Sequence, residues 1–231
     1  MGNYTAEQKY DAIAMFAQGA TLLEVTDTTG VSDYSARELK VQADQYQLPI
    51  KPYKTKVWDI ETTDFKADIG TLMVSSFLDL HAGVPNSRTV HDFEGTIRDR
   101  EAALAEWTVG QLTNSDALIG HNIKGFDRNF LSGVLARNHM DQAPKRTYLD
   151  TMLIARYGMK GRIGGSMANL ADVLGLPIPK DRPSKNDWRE YIAGDPEAVE
   201  RITIRCETDV IVNALLWEEL KEYYYQWKGE R

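Results

Sequence analysis

Cysteine is almost absent from this sequence. Cys206 is the only one in 231 residues, so no disulfide can close within the chain and no cysteine cluster can hold zinc. The expectation is a reducing, cytoplasmic setting. Long apolar runs are missing as well. Nothing approaches the roughly 20 residues that span a bilayer, and the opening MGNYTAEQKYD has neither the basic nor the apolar region of a secretory leader, so no membrane partner is expected. Surplus positive charge is also lacking. The 27 Lys and Arg against 34 Asp and Glu leave a net charge of -7, which argues against extensive nonspecific binding to a polyanion. Histidine is scarce: His81, His91, His121 and His139 are the four, and none falls in the last third. What remains is 42% hydrophobic and 26% charged, the balance of a globular chain long enough to bury a core.

The pattern divides the chain in two. Residues 1–50 read as helices alone: Tyr10, Ile13, Phe16 and Ala17 recur at helical spacing, Gly19 stops that helix, and Thr21 opens a second. Gly30 makes a turn, and Ser32 caps a third helix running to about Tyr46. LPIKPY, with two prolines, reads as a linker. Residues 53–231 form a second domain. KTKVWDIET, GTLMVSSFLDL and SRTVHDF read as three strands joined by short turns, an antiparallel meander. A helix over 96–113, a buried strand DALIGHN, a helix over 125–139, a strand RTYLD and further helices follow. The expected class is α/β, a mixed sheet flanked by helices, with a small all-α appendage in front.

Carboxylates are the chemical signal. Asp59 and Glu61 lie two residues apart on a predicted strand, so both point to one face. Among Val57, Trp58 and Ile60 such a pair is unfavourable to bury unless it coordinates a cation; a solvent-facing strip of an edge strand is the alternative. In ALIGHNIKGFDRNFL an apolar strand ends at Gly120 and Asp127 begins a helix, where a carboxylate also suits the helix dipole. In RITIRCETDVIVNALLWEEL, Asp209 lies beside an apolar helical stripe, a place an ordinary surface charge can also occupy.

Taken in order, WDIET, GHNIKGFD, LDTMLIAR, ANLADVLGLP and ETDV resemble the DnaQ-like, or DEDD, 3′–5′ exonucleases over about residues 53–220. The resemblance implies an RNase H-like fold and phosphodiester hydrolysis. It also implies that Asp59, Glu61, Asp127 and Asp209 ligate two divalent cations, Mg²⁺ or Mn²⁺, a choice that suits hard oxygen donors. Ile60, Thr62, Asn122 and Arg205 are the candidate substrate contacts. Trp58 is placed beside the metals and Phe126 in the core. Arg156, Lys160 and Arg162 form a basic cluster that either follows a phosphate backbone or is simply solvated. His121 reads as structural, and the aromatic tail YYYQW as helix packing.

One part of the family pattern is missing. The usual general base, a Tyr four or a His five residues before the last Asp, is replaced by Arg205 and Ile204. Arg stays charged and cannot accept a proton. Lys185, with Tyr191 as a weaker choice, is the candidate to orient the attacking water. The leading expectation is a DNA exonuclease of replication or repair, with a phage as one candidate source and a polymerase or other replication protein as the candidate partner. The alternatives are an exoribonuclease on short RNA and a catalytically weak or inactive nucleic-acid-binding adaptor. Residues 22–41 resemble a helix-turn-helix, with Ser32, Tyr34, Ser35 and Arg37 opening the recognition helix. However, residues 1–50 hold three basic side chains against seven acidic ones, so docking or packing is the competing role.

Overall fold

The computed structural model describes residues 4–17, 20–46, 54–80, 83–176 and 184–229. The chain forms two compact units, Met1–Tyr53 and Lys54–Arg231. In the first, α1 (Ala6–Ala17), α2 (Leu22–Thr29) and α3 (Asp33–Tyr46) enclose a small core of Ala12, Phe16, Val25, Val31, Ala36 and Leu39. Thr21 and Glu24 close a reciprocal capping box at the start of α2. Gly30 ends the helix at φ 69°, a left-handed conformation that favours glycine. Of the four residues expected to face DNA, Ser32, Tyr34 and Arg37 are exposed, but Ser35 is buried and bonded to Ser32. Ser35 is therefore part of the turn's packing and not of a surface. The expected stop at Gly19 and the linker over 48–53 lie outside the described residues.

The second unit is built on a five-stranded sheet in the order β3-β2-β1-β4-β5. β1 (Thr55–Thr62), β2 (Leu72–Asp79) and β3 (Pro85–Thr89) form the antiparallel meander. β4 (Ala117–Gly120) and β5 (Thr147–Asp150) add to the other side of β1 in parallel. Parallel addition needs crossovers, and α4 (Ile97–Thr113) and α5 (Asp127–Arg137) supply them. Beyond β5 come α6 (Thr151–Leu153), a π-helical turn over Ile154–Gly158, α7 (Met167–Val173), α8 (Lys185–Ala193) and the long α9 (Pro196–Gly229). This is the mixed sheet with flanking helices that the sequence led us to expect.

Alternation along the strands divides the core. Trp58, Met73, Phe77, Leu104, Leu118 and Leu131 pack together in one cluster, and Val57, Ile119, Leu149, Ile154, Val210 and Leu216 in another. Trp58 is fully buried, its indole N–H donating to Ser75 Oγ at 3.0 Å, so it belongs to the core and not to a site. Tyr224 and Trp227 pack against the second cluster, Trp227 stacking on Tyr157 at 5.7 Å, as expected for a packing tail. Tyr191 is also fully buried and donates its hydroxyl to the Met73 carbonyl at 2.8 Å. That bond removes it as an orienter of water.

A buried ion pair ties α4 and α5 to the loop after β1. Arg137 bonds Glu101 and the carbonyls of Ala67 and Gly70, while Glu101 also accepts the Leu72 backbone N–H at 2.7 Å. Glu101 is almost wholly buried, so losing its partner leaves an uncompensated charge. Arg137→Ala is expected to destabilise the protein by about 3 kcal/mol in urea denaturation, and Glu101→Gln added to it to recover part of that loss.

Candidate metal centre

Period two places Val57, Asp59 and Glu61 on one face of β1. Val57 packs there with Val210 of α9, so the same face brings the two carboxylates to Asp209. An oxygen of each of Asp59, Glu61 and Asp209 lies within 4.8 Å of the other two. The register of β1 against β2 shifts between Glu61 and Thr62, a bulge that bends the strand end where the carboxylates emerge. Cys206, one turn before Asp209 and fully buried, packs its thiol against Asp59, 3.6 Å from the backbone carbonyl and 3.7 Å from Oδ2. Burial and the surrounding carboxylates push the thiol far up, so it stays an S–H donor.

β4 pairs with β1 only as far as Val57. Beyond that point the Asp127 carboxylate lies near the Ile60 backbone N–H, which favours its charged form without offsetting its burial. Asp127 begins α5, is nearly inaccessible, and lines the same cavity as the other three acids, although it is outside their mutual 4.8 Å group. Burial pushes its carboxyl up to about 7, and the negative charges of Asp150 and Glu61 add to the shift.

The turn between β4 and α5 depends on Asp150. Its buried carboxylate accepts the backbone N–H of Asn122 and of Lys124, both at 3.1 Å, and that of Leu153 at 3.2 Å. Asn122 itself has φ 62°. A Cβ at Gly125 would meet the Asn122 carboxamide oxygen, so a larger residue there would force that side chain to turn aside. His121 Nδ1 lies 3.0 Å from Thr151 Oγ1, which also bonds Asn213 Oδ1 at 3.1 Å, in keeping with a structural role for that histidine.

These groups open on a cavity of about 830 Å³. Asp59, Glu61, Asp127 and Asp209 line it, as do Ile60, Asn122 and Arg205. Thr62 is not among the lining residues; its hydroxyl donates to the Asp64 carbonyl at 2.7 Å and orders the turn. The Lys185 side chain lies outside the described residues, although its backbone begins α8. Phe126 is half-buried and lines the cavity while packing on the core. Phe65, in edge contact with it at 6.1 Å, is 87% exposed and was not anticipated. No periodicity marks Phe65, since it lies in the irregular loop after β1. Arg156 lines the cavity, whereas Lys160 and Arg162 do not.

Arg205 bonds Glu61 through Nε at 2.6 Å, and its Nη2 lies 3.7 Å from Asp209. Burial opposes its charge, but Glu61, Asp209 and Asp59 outweigh that effect and hold the guanidinium above its ordinary range.

The donor set is made of hard carboxylate oxygens, close enough to repel one another unless a cation lies among them. The RNase H superfamily model matches residues 57–221, the segment that carries all four acids. The chain belongs to the RNase H superfamily. No curated protein matches it. In structure it is similar to the family B DNA polymerase from the hyperthermophilic archaeon Pyrobaculum calidifontis, with a TM-score of 0.60 and 15% sequence identity over 76% of this chain. The match covers 25% of that polymerase chain, and at such identity it bears on the fold alone. Membership of this superfamily fits divalent cations at the acidic cluster. Among the described residues no helix is long and apolar enough to cross a membrane.

The raised Asp127 carboxyl has a consequence for stability. Between the ordinary value of 3.8 and about 7 the folded protein keeps a proton that the unfolded chain has released. Metal-free stability therefore falls as pH rises through that window. Asp127→Asn is expected to raise the stability of the metal-free protein at pH 8 by on the order of 2 kcal/mol and to flatten its dependence on pH, read from melting curves in chelator.

Proposed function

We propose that this protein is a metal-dependent 3′–5′ exonuclease acting on DNA ends. The observation that carries the reading is the convergence of Asp59, Glu61 and Asp209 within 4.8 Å on a cavity that Asp127 also lines. In this reading Asp59, Glu61, Asp127 and Asp209 hold two divalent cations, Mg²⁺ or Mn²⁺. Such ions, when bound, acidify water and neutralise the charge that develops on the phosphate during in-line displacement.

The chain's own residues do the rest. Asn122, held in its turn by Asp150, offers a carboxamide to the terminal nucleotide. Ile60 supplies apolar contact beside it, and Thr62 keeps the strand end in place. Phe65 and Phe126 give aromatic faces on which an unpaired base can stack, a contact that tolerates any sequence. Among the described residues that line the cavity, Arg156 and Arg205 are the cations a phosphate can meet, Arg205 on leaving Glu61. Lys185, at the start of α8, is the candidate to orient the attacking water, since neither Arg205 nor Ile204 can accept its proton. A role in replication or repair, and a polymerase or other replication protein as partner, are part of the same proposal. The two units defined by Met1–Tyr53 and Lys54–Arg231 would then be a helix-turn-helix-like module and a DEDD exonuclease domain.

Arg205 also favours a second reading. A guanidinium bonded to Glu61 where relatives have a base suits a strand-binding adaptor with little or no activity. Digestion of 5′-labelled single-stranded DNA and RNA of one sequence separates the possibilities. The expected result is a ladder shrinking from the 3′ end of DNA with Mg²⁺ or Mn²⁺, abolished by chelator and reduced about a thousandfold or more in Asp209→Ala. A ladder on RNA alone would name an exoribonuclease. Strand binding by folded protein with no cleavage of either would leave the adaptor.

A further inference from the structure

We propose that Arg205 is a built-in counter-ion of the acidic cluster, holding Glu61 and Asp209 together in the metal-free protein and competing with a divalent cation for the same oxygens. The inference rests on the metal-binding reading given above. Arg205 and Asp209 are four residues apart on α9, on one face of the helix. The guanidinium therefore lies over the cluster by virtue of the helix alone. From there it reaches across to β1 and bonds Glu61 Oε1 through Nε at 2.6 Å. Side-chain exposure is 21% for Arg205, 12% for Glu61 and 8% for Asp209, so the pairing is poorly screened by solvent and salt.

Carboxylate oxygens committed to a guanidinium are not available to a metal ion at full strength. A cation entering the cluster meets the guanidinium charge at Glu61 and competes with it, and its binding is weakened by that coupling. Of the described residues that line the cavity, only Arg156 and Arg205 are cationic, and Arg205 is the one bonded to the acids. Once displaced it remains on the cavity with its five donors available. An anion taken up there would favour the displaced state. By linkage, metal and phosphate-bearing ligand then strengthen each other's binding.

The test is calorimetric titration of the whole 231-residue chain with Mn²⁺ and no nucleic acid, comparing wild type, Arg205→Met and Arg205→Lys. Arg205→Met is expected to bind Mn²⁺ about tenfold more tightly, the ordinary size of a coupling between competing ligands. Arg205→Lys should fall between the two, because a single ammonium cannot span both acids as a planar fork does. It also serves if Arg205→Met does not fold. Equal or weaker Mn²⁺ affinity in the variants, with Asp59→Asn abolishing the wild-type signal, would overturn the counter-ion while leaving the metal site in place. Absence of Mn²⁺ binding in every protein would remove the metal reading and this inference with it.

Discussion

Repulsion among gathered carboxylates is the constraint around which this molecule is arranged. Asp59, Glu61 and Asp209 bring oxygens within 4.8 Å, on elements that also carry fully buried residues such as Val57, Trp58, Val210 and Leu216. Nothing about strand or helix formation asks for this. The apolar packing of β1 and α9 through Val57 and Val210 holds the acids together against their own charge, and Arg205 offsets part of it. Burial is what makes the arrangement chemically useful, since charges there are weakly screened and respond strongly to a cation or a phosphate.

The scaffold serves that arrangement at each level. β1 lies at the centre of the sheet order, the most constrained position available. β4 stops pairing with it at Val57, which exposes one side of the strand where the carboxylates begin. Asp127, nearly inaccessible at the start of α5, lines the cavity that these acids share, and its burial, with the charges of Asp150 and Glu61, accounts for its raised carboxyl. The turn that delivers Asp127 is held by a further acid, Asp150, acting through backbone N–H groups. One carboxylate is thus spent on backbone N–H groups while its neighbours face the cavity. The loop carrying Phe65 is held in a similar way, by Arg137 and Glu101 gripping its backbone and leaving the aromatic ring exposed.

The net charge of -7 is consistent with such a centre. An acidic cluster contributes negative charge until cations fill it, and the local field then reverses. Contact with a strand end through a few groups on one cavity needs less phosphate neutralisation than coating a duplex. Overall charge is accordingly a poor guide to function here, whereas the placement of a few acids is informative.

The sequence alone determined a great deal, because the signals involved are local and periodic. Alternation in VWDIET placed Asp59 and Glu61 on one face, the caps at Thr21 and Gly30 marked helix ends, and strand-then-helix order implied the mixed sheet. Tertiary structure decided what depends on long-range approach. Trp58 was expected beside the metals, yet it faces the opposite side of β1 from Asp59, as the same alternation requires. Ser35 and Tyr191 carry hydroxyls suited to a site but face the interior. Phe65 has no pattern around it, and only the fold brings it against Phe126. The meeting of Arg205 with Glu61, 144 residues apart in the chain, is likewise invisible to any spacing rule. Local spacing sets which way a side chain leaves its own element, and only the packing of elements sets what it meets.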